Sequence, residues 1–277
     1  MKSHPFNLKS LIVGITTVMM IISSLPTVTL AQAQPKTKLK IRFPKISNVG
    51  APPRSSGTGA RKTPCGFKNF GKKEVSNTED VSGVSLTGLT PENNVVTTVA
   101  SNPSIYVYIP KTVKKFVEFR MVDIKNEKVV YETTFPLSSN PGIMKVTTPK
   151  SVSLQPGNKY QWQFLVMCDP QDREADEMVE GWIQRTTLTP QQKKRLDQTK
   201  PESLEKAQLY AEYGVWNESM NILAGLRDRH TTAKELWIQL LKSVKLGDIA
   251  QNPLIECCSL STLPYNSTQK KINLINR

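Results

Sequence analysis

The chain contains few of the residues on which most enzyme mechanisms depend. It has two histidines in 277 residues, and His4 lies in an N-terminal segment that we expect to be removed, which leaves His230. His230 lies at a helix boundary with no partner nearby, so a capping role is favoured over a base or a ligand, and the scarcity of histidine weighs against Ser–His, Cys–His and His-rich metal sites. The sequences G-x-x-x-x-G-K-[ST], G-x-G-x-x-G and G-x-S-x-G are also absent. The sequence therefore predicts no catalytic residue, no metal site and no cofactor, and it favours a protein that is not an enzyme.

Acidic residues are absent from the first 73 positions. The net charge is +14, but from Glu74 onward 24 lysines and arginines face all 23 acidic residues. Eleven cations lie in the preceding stretch from Gln34 to Lys73, which is rich in Pro, Gly and Ser. This composition predicts a flexible basic arm over residues 34–75, in which only Leu39–Phe43 alternates like an edge strand. A local cationic tether indicates an anionic surface as partner, such as a membrane, and not nucleic acid. The residues assigned to this binding are Lys36, Lys38, Lys40, Arg42, Arg54, Arg61, Lys62, Lys72 and Lys73.

Long apolar runs are scarce as well. The run Leu11–Leu25 follows Lys2 and Lys9 and precedes the small-residue site Ala31-Gln32-Ala33. A membrane span needs roughly 20 apolar residues, so the alternative of an uncleaved anchor helix is disfavoured. The order of a cationic start, a short apolar run and a small-residue site is typical of a cleaved secretory signal. We expect residues 1–33 to be a signal peptide and the mature protein to be soluble and exported, to the periplasm or outside the cell.

The chain has only four cysteines: Cys65, Cys168, Cys257 and Cys258. No C-x-x-C pair and no Cys/His cluster occurs, which argues against zinc and thioredoxin-like sites. An even number of cysteines in an exported protein favours disulfides, and a Cys65–Cys168 bridge would pin the arm to the folded body. The alternative is that these two thiols are unpaired. The adjacent Cys257 and Cys258 are either free or bonded between molecules.

Residues 76–189 alternate between apolar and polar side chains. The clearest run is Tyr160–Cys168, in which Trp162 and Phe164 alternate with Gln161 and Gln163. Several such runs are separated by turn signals, with no helical segment between them, and this pattern predicts an antiparallel β-sandwich. A Trp and a Cys on one strand face are similar to an immunoglobulin-like core, although the second core Cys is missing.

Residues 190–246 change to a helical period. Thr189, Pro190 and Gln192 form a capping box with a first-turn proline, and Thr232 with Glu235 predicts a later cap. The segment Ala207–Leu223 looks like one tetratricopeptide helix pair, and a single pair cannot form a solenoid alone. We therefore expect an α+β protein whose helices pack on the sandwich. Residues 247–277 are polar and aperiodic, which predicts a frayed tail.

Two further features are candidate sites. Tyr106 and Tyr108 point away from the predicted core, so they either form an exposed aromatic interface or are covered by the helices. The acidic run after Cys168 offers oxygen ligands for Ca²⁺, but it lacks the glycine of an EF-hand loop, and a solvated acidic loop is the alternative. Its members are Asp169, Asp172, Glu174, Asp176, Glu177 and Glu180.

A combination of motifs resembles a known family. The motifs are the signal peptide, the Gly/Pro/Arg-rich arm ending in Cys65, and the segments Asn102–Pro110, Leu154–Trp162, Gly181–Arg185 and Tyr210–Trp216. Together they are similar to a cyanobacterial family of exported proteins, domain of unknown function nine-two-eight, from about Cys65 to Leu246. The resemblance implies a bacterial envelope setting. It implies no activity and no catalytic residues.

These observations favour a non-enzymatic envelope protein that binds another protein or a glycan and is held near an anionic surface by its arm. The competing hypothesis is a hydrolase of envelope polymers that uses two carboxylates, because such chemistry needs no histidine.

Overall fold

The computed structural model describes residues 39–47, 85–112, 116–137, 140–169, 171, 173, 176–255 and 257. All of them belong to one unit, Lys38–Arg277. They form two β-sheets and four α-helices, so the predicted mixed α+β content is confirmed. Within these ranges, no helix is both long and apolar enough to span a membrane.

The strands are short and follow the predicted alternation. They are β1 (Thr87–Gly88), β2 (Val95–Thr98), β3 (Ser104–Ile109), β4 (Phe116–Asp123), β5 (Lys128–Pro136), β6 (Gly142–Thr147), β7 (Lys159–Val166), β8 (Glu177–Arg185) and β9 (Leu254–Ile255). On β7, Trp162 and Phe164 are fully buried, whereas Gln161 and Gln163, which alternate with them, are partly exposed. The alternation of apolar and polar residues therefore predicts correctly which side chains point inward, as expected for a strand with one buried face.

The strands form a four-stranded sheet in the order β1-β3-β6-β9 and a five-stranded sheet in the order β2-β8-β7-β4-β5. Most neighbours are antiparallel, as predicted, but two pairs are parallel. In these pairs Val95 of β2 lies opposite Trp182 of β8, and Ile143 of β6 lies opposite Leu254 of β9. Parallel pairs cannot come from hairpins, so β2 and β9 each join a strand that is distant in sequence.

The four-stranded sheet is covered on both faces. All six residues of β3 are buried. On one face, the hydroxyl of Tyr106 donates to Oδ1 of Asn221 at 2.8 Å. On the other face, Ile105 shares one hydrophobic core with Phe119 and Trp162 of the five-stranded sheet. The order of layers is therefore five-stranded sheet, four-stranded sheet, helices.

The helices are α1 (Pro190–Asp197), α2 (Leu204–Glu212), α3 (Trp216–Leu226) and α4 (Thr231–Ser243). The predicted capping box of Thr189 and Gln192 is present at the start of α1. The predicted cap at Thr232 is wrong, because α4 begins at Thr231 after His230, whose side chain makes no capping hydrogen bond. Tertiary packing, which buries Leu236, Trp237 and Leu240 of α4, stabilises this helix instead.

Two predicted boundaries change. In the predicted tail, a short 3₁₀ helix (Gly247–Ile249) leads into β9, and the carbonyl of Ala250 accepts from Nε1 of Trp237 at 2.9 Å.

In the predicted flexible arm, residues 39–47 pack on the helices, with Ile41 and Phe43 buried. The arm prediction is wrong for this segment, because alternating apolar residues give it a face to bury. The signal segment and most of the arm lie outside the described residues.

The segment 39–47 is not the edge strand that its alternation suggested. Its backbone donors bind side chains of α4: the amide of Phe43 donates to Oγ of Ser243 at 3.0 Å, and that of Ile41 to Oε1 of Gln239 at 3.4 Å. We call residues 39–47 the strap.

Candidate binding face

One face of the five-stranded sheet points away from the core and remains accessible. Its side chains occupy the positions between the buried ones on β4, β5, β7 and β8, and they are partly or fully exposed. We call this surface the open face. Its central members are Phe116, Glu118, Arg120 and Val122 of β4, Gln161, Gln163 and Leu165 of β7, and Met178, Glu180 and Trp182 of β8.

The large exposed apolar side chains of the described residues lie on or next to the five-stranded sheet, near the two ends of β4. Phe116 and Met178 are 47% and 37% exposed and lie on the open face. Val129, 43% exposed, pairs with Val122 on the edge strand β5, and Ile124 lies in the β4–β5 turn. Phe116 and Met178 therefore lie near one end of β4 and Ile124 and Val129 near the other, so they do not form one apolar patch.

A polar cluster occupies the part of the open face nearest Trp182. Gln163 lies directly opposite Glu180 across the β7–β8 pair. Oε2 of Glu180 accepts from Nε2 of Gln161 at 2.7 Å and from Nε2 of Gln163 at 3.2 Å. Oε1 of Glu180 has no hydrogen-bond partner among the residues that the structure describes. We call Gln161, Gln163 and Glu180 the polar cluster.

An indole lies beside the polar cluster. Trp182 follows Glu180 by two residues on β8, so both side chains point to the same face. Its neighbour across the strand pair is Gln161. The ammonium of Lys159 lies 5.2 Å from the centre of the Trp182 ring, in a cation–π contact.

The remaining charges of the open face are paired. The guanidinium of Arg120 lies 3.2 Å from the carboxylate of Glu132. Arg173 bridges Asp176 at 2.6 Å and Glu118 at 3.2 Å, and the hydrogen bond to Asp176 is the main cause that raises the pKa of Arg173. The face therefore carries nearly balanced charge, in contrast to the basic arm.

The predicted aromatic interface at Tyr106 and Tyr108 is wrong. Each side chain is only 2% exposed. The Tyr106 ring makes an edge contact with Trp237 at 6.1 Å, and burial raises its pKa. The tyrosines do point away from the inner core of the sandwich, but the helices cover that face. For Tyr106, the structure therefore agrees with the alternative stated above, in which the helices cover the side chain.

The predicted anionic-surface residues lie mostly outside the described ranges. Lys40 and Arg42 are exposed on the strap, beside the buried Ile41 and Phe43. The other members, which the structure does not describe, are Lys36, Lys38, Arg54, Arg61, Lys62, Lys72 and Lys73. Their predicted role stays a prediction.

The described residues of the acidic run that follows Cys168 contact different partners. Asp176 accepts from the backbone amide of Cys168 at 3.0 Å as well as from Arg173, and Glu180 belongs to the polar cluster. No three of the described His, Cys, Asp and Glu residues come together as a metal site; Asp172 and Glu174 of the run are not described. Cys168 itself is buried, and its predicted partner Cys65 lies outside the described residues.

A cleft of about 290 Å³ lies between the strap, the end of α4 and the loop before β2. Phe43, Ile46, Pro91 and Val244 line it, together with one acid, Glu92. The Glu92 carboxylate lies 2.8 Å from the ammonium of Lys245. Among the described residues that line this cleft, Glu92 is the one carboxylate, whereas the hydrolase hypothesis needs two.

The sequence reasoning missed the polar cluster as a site. Gln161 and Gln163 were recognisable as outward residues, because they alternate with Trp162 and Phe164. Their proximity to Glu180 depends on the register of β7 with β8, which alternation does not give.

Comparison with known proteins gives a family and no activity. The model of a family described as Domain of Unknown Function (DUF928) matches residues 57–254, which is more than half of the chain. No curated protein is significantly similar to the chain in sequence. Among solved structures, the FN5 domain of Drosophila Lar is similar over 38% of this chain and 94% of its own, at 14% identity and a TM-score of 0.22. A likeness at that score carries no argument.

Proposed function

The chain belongs to the family described as Domain of Unknown Function (DUF928), and we propose that it is a non-enzymatic, exported envelope protein that binds a polymeric glycan on its open face. The observation that carries this proposal is the polar cluster of Gln161, Gln163 and Glu180 next to the indole of Trp182.

The polar cluster offers hydrogen-bond donors and acceptors side by side. Each glutamine uses one N–H to hold Glu180 and retains a second N–H and a carbonyl oxygen. Glu180 adds the acceptor Oε1. A metal ion needs acceptors alone, and a phosphate needs donors alone. A sugar hydroxyl both donates and accepts, so this mixed set fits hydroxyl groups best.

The neighbouring indole supplies the apolar contact that a sugar ring also needs. One face of a pyranose carries mainly C–H groups, which pack on an aromatic ring, and Trp182 presents such a ring with a polar edge. Sites for small molecules are concave pockets, whereas the open face is an exposed sheet surface. An extended polymer that lies across several strands suits this shape.

The finer architecture is part of the proposal. We interpret the two sheets as an immunoglobulin-like sandwich, because β7 pairs antiparallel with β4 and β8, and Trp162 of β7 and the following Cys168 are both buried in the core. We interpret α2 and α3 as a tetratricopeptide-like pair.

The Cys65–Cys168 disulfide is supported by the fact that neither described cysteine, Cys168 or Cys257, is a free thiol. Export, and the cyanobacterial origin implied by resemblance, rest on the sequence.

The basic arm is proposed as a second contact, to an anionic surface such as acidic lipid headgroups. Its eleven cations without one acid support this role. The described residues on either side of positions 48–84 belong to the folded unit: the strap before them, and Leu86, which is fully buried, after them. Binding of these cations to a charged surface would therefore hold the folded unit, and with it the open face, close to that surface.

The test is affinity electrophoresis of the mature protein in gels that contain mixed-linkage β-glucan, galactomannan or dextran. We expect retardation by at least one polymer, and Trp182→Ala should weaken it about tenfold or more, since a central aromatic anchor dominates such binding. Phe116→Ala is the control, because Phe116 is exposed on the same face but distant from the polar cluster.

Retardation that is unchanged in Trp182→Ala, or that is absent from every gel, would contradict the proposal. Loss of retardation in Phe116→Ala and not in Trp182→Ala would indicate that the apolar end of the face is the site, as expected for a protein partner. Thermal unfolding of each variant checks that the fold is retained.

A further inference from the structure

We propose that the open face selects N-acetylated sugars, whose acetamido group binds between Glu180 and Lys159 on the indole of Trp182. This inference rests on the proposed function and names the class of glycan that the face takes. The observation that carries it is the presence of two opposite charges on either side of one accessible indole.

The pairing of β7 with β8 sets the positions of these three side chains. On β8, Glu180 and Trp182 are outward residues two positions apart, so about 7 Å separates them along the strand. On β7, Lys159 lies one outward pair beyond Trp182, on the side away from Glu180. Its ammonium reaches back to 5.2 Å from the centre of the indole ring. The carboxylate and the ammonium therefore approach the indole from opposite ends.

Both charged groups retain hydrogen-bonding capacity. Glu180 uses its Oε2 to accept from Gln161 and Gln163, and its Oε1 has no partner among the described residues. Within the same residues, the side chain of Lys159 forms no ion pair and no hydrogen bond, and its one contact is with the indole. Its ammonium carries three N–H donors. An acceptor for a ligand thus lies at one end of the indole, and donors lie at the other.

The net charge of a ligand does not decide what binds between these two groups. An anionic group is attracted by Lys159 and repelled by Glu180, and the reverse holds for a cationic group. A neutral group is attracted by both when its donor points to the carboxylate and its acceptor points to the ammonium. Hydrogen bonds to ionised partners are roughly twice as strong as those between neutral groups, so such a ligand group gains at both ends.

An acetamido group has this arrangement of donor and acceptor. Its amide is trans, so its N–H and C=O point in opposite directions. The N–H donates to Oε1 of Glu180, while the C=O accepts from the ammonium of Lys159. The methyl group then packs against the indole of Trp182. A hydroxyl group has its donor and its acceptors on one oxygen atom, so it contacts one end of the site at a time.

The experiment compares three β-1,4-linked hexamers that differ only at carbon 2 of each sugar: those of glucose, N-acetylglucosamine and glucosamine. The full mature protein is used in about 0.5 M salt, because screening reduces the long-range repulsion between the basic arm and the cationic glucosamine hexamer. Isothermal titration calorimetry gives dissociation constants for the wild type, Trp182→Ala, Lys159→Met and Glu180→Ala. The controls Lys234→Met and Glu205→Ala remove the same charges at exposed positions on α4 and α2.

We expect the wild type to bind the acetylated hexamer about tenfold or more tightly than either of the others, because two charge-assisted hydrogen bonds form together. Lys159→Met and Glu180→Ala should each reduce the ratio of acetylated to glucose hexamer to about threefold or less, and the two controls should leave it unchanged. Lys159→Met removes no hydrogen bond among the described residues, so it keeps the test valid if Glu180→Ala is poorly folded.

Equal affinities for the acetylated and glucose hexamers, or a ratio that Lys159→Met leaves unchanged, would overturn the selection of N-acetylated sugars. Tighter binding of the glucosamine hexamer than of its acetylated form would also overturn it, because a carboxylate acting alone gives that result. In each case Trp182-dependent binding would keep the proposed function intact. Absence of Trp182-dependent binding to the three hexamers and to the neutral polymers would overturn both.

Discussion

Phe43 of the strap packs its ring edge-on against the indole of Trp216 at the start of α3, with the ring centres 5.0 Å apart and the planes at 87°. The two residues are far apart in sequence and are both buried. The contact joins the strap to the helices, and the backbone hydrogen bonds of the strap to α4 reinforce it. The strap is therefore part of the folded unit.

Phe43→Ala should lower the free energy of unfolding by about 3–5 kcal/mol, the usual cost of removing a buried phenylalanine. Arg42→Ala is the control, because Arg42 is exposed on the same segment, and it should change stability by about 0.5 kcal/mol or less. Urea unfolding followed by tryptophan fluorescence measures both. Equal stability of the two variants would show that the strap does not belong to the cooperative core.

Gly181→Ala should destabilise the five-stranded sheet by about 1–3 kcal/mol, the typical cost of overpacking a core. A Cβ at this position would lie 2.7 Å from Cζ2 of Trp162 and 2.7 Å from Oδ1 of Asn94. Gly225→Ala is the matched control: its Cβ would meet nothing within 4 Å, and removing a glycine from α3 should stabilise by about 0.5–1 kcal/mol. Thermal unfolding that shifted both variants in the same direction would contradict this account.

Glu218→Gln should remove a pH dependence of stability. Oε1 of Glu218 accepts from the Thr98 hydroxyl at 2.7 Å and from the amides of Val99 and Ala100 at 3.0 Å each, while Oε2 is buried without a partner among the described residues. Burial raises the pKa of Glu218 above its usual 4.5. The folded state then binds the proton more tightly than the unfolded state, so stability falls as the pH rises from about 4.5 through the raised pKa.

The measurement is the free energy of unfolding of the wild type and Glu218→Gln at a series of pH values. Relative to the variant, the wild type should lose stability with rising pH and then level off. Glu205→Gln, on an exposed position of α2, should parallel the wild type. Parallel curves for the wild type and Glu218→Gln would rule out this effect.

We expect Cys65 and Cys168 to be bonded to each other. Closing a loop of about 100 residues stabilises by roughly 4 kcal/mol on the chain-entropy model, and often by less. Peptide mass mapping without reduction should find the two cysteines in one linked pair, and Cys168→Ser should lower the melting temperature. A Cys168 peptide linked to Cys257 or Cys258 would replace this assignment.

The basic arm should bind anionic vesicles in a salt-dependent way. Near such a surface each Lys or Arg contributes about 1 kcal/mol, and screening weakens the attraction as the ionic strength rises. The matched variant replaces Arg54, Arg61, Lys62, Lys68, Lys72 and Lys73 by glutamine. It keeps the strap, so the fold is not disturbed as it would be by truncation. Co-sedimentation that is equal for both proteins, or insensitive to salt, would show that the arm is not the anchor.

Local features of the fold were predictable from the sequence because they depend on neighbouring residues. The alternation around Trp162 and Phe164 gave the inward face of β7, since successive side chains of a strand point to opposite sides. The capping box of Thr189 and Gln192 gave the start of α1, because its hydrogen bonds span only three residues.

Features that depend on distant contacts were decided by the tertiary structure. Alternation placed Tyr106 away from the inner core, but only the packing of α3 and α4 showed that this face is buried. The composition of the arm predicted that the strap would be flexible. This prediction was wrong because the partners of Phe43 lie on α3 and α4, which are distant in sequence. The polar cluster unites residues of β7 and β8, and its existence depends on strand register. The sequence thus determined which residues can face outward, while the packing of sheets and helices determined which outward face remains open, because burial is a property of surfaces that meet across the whole chain.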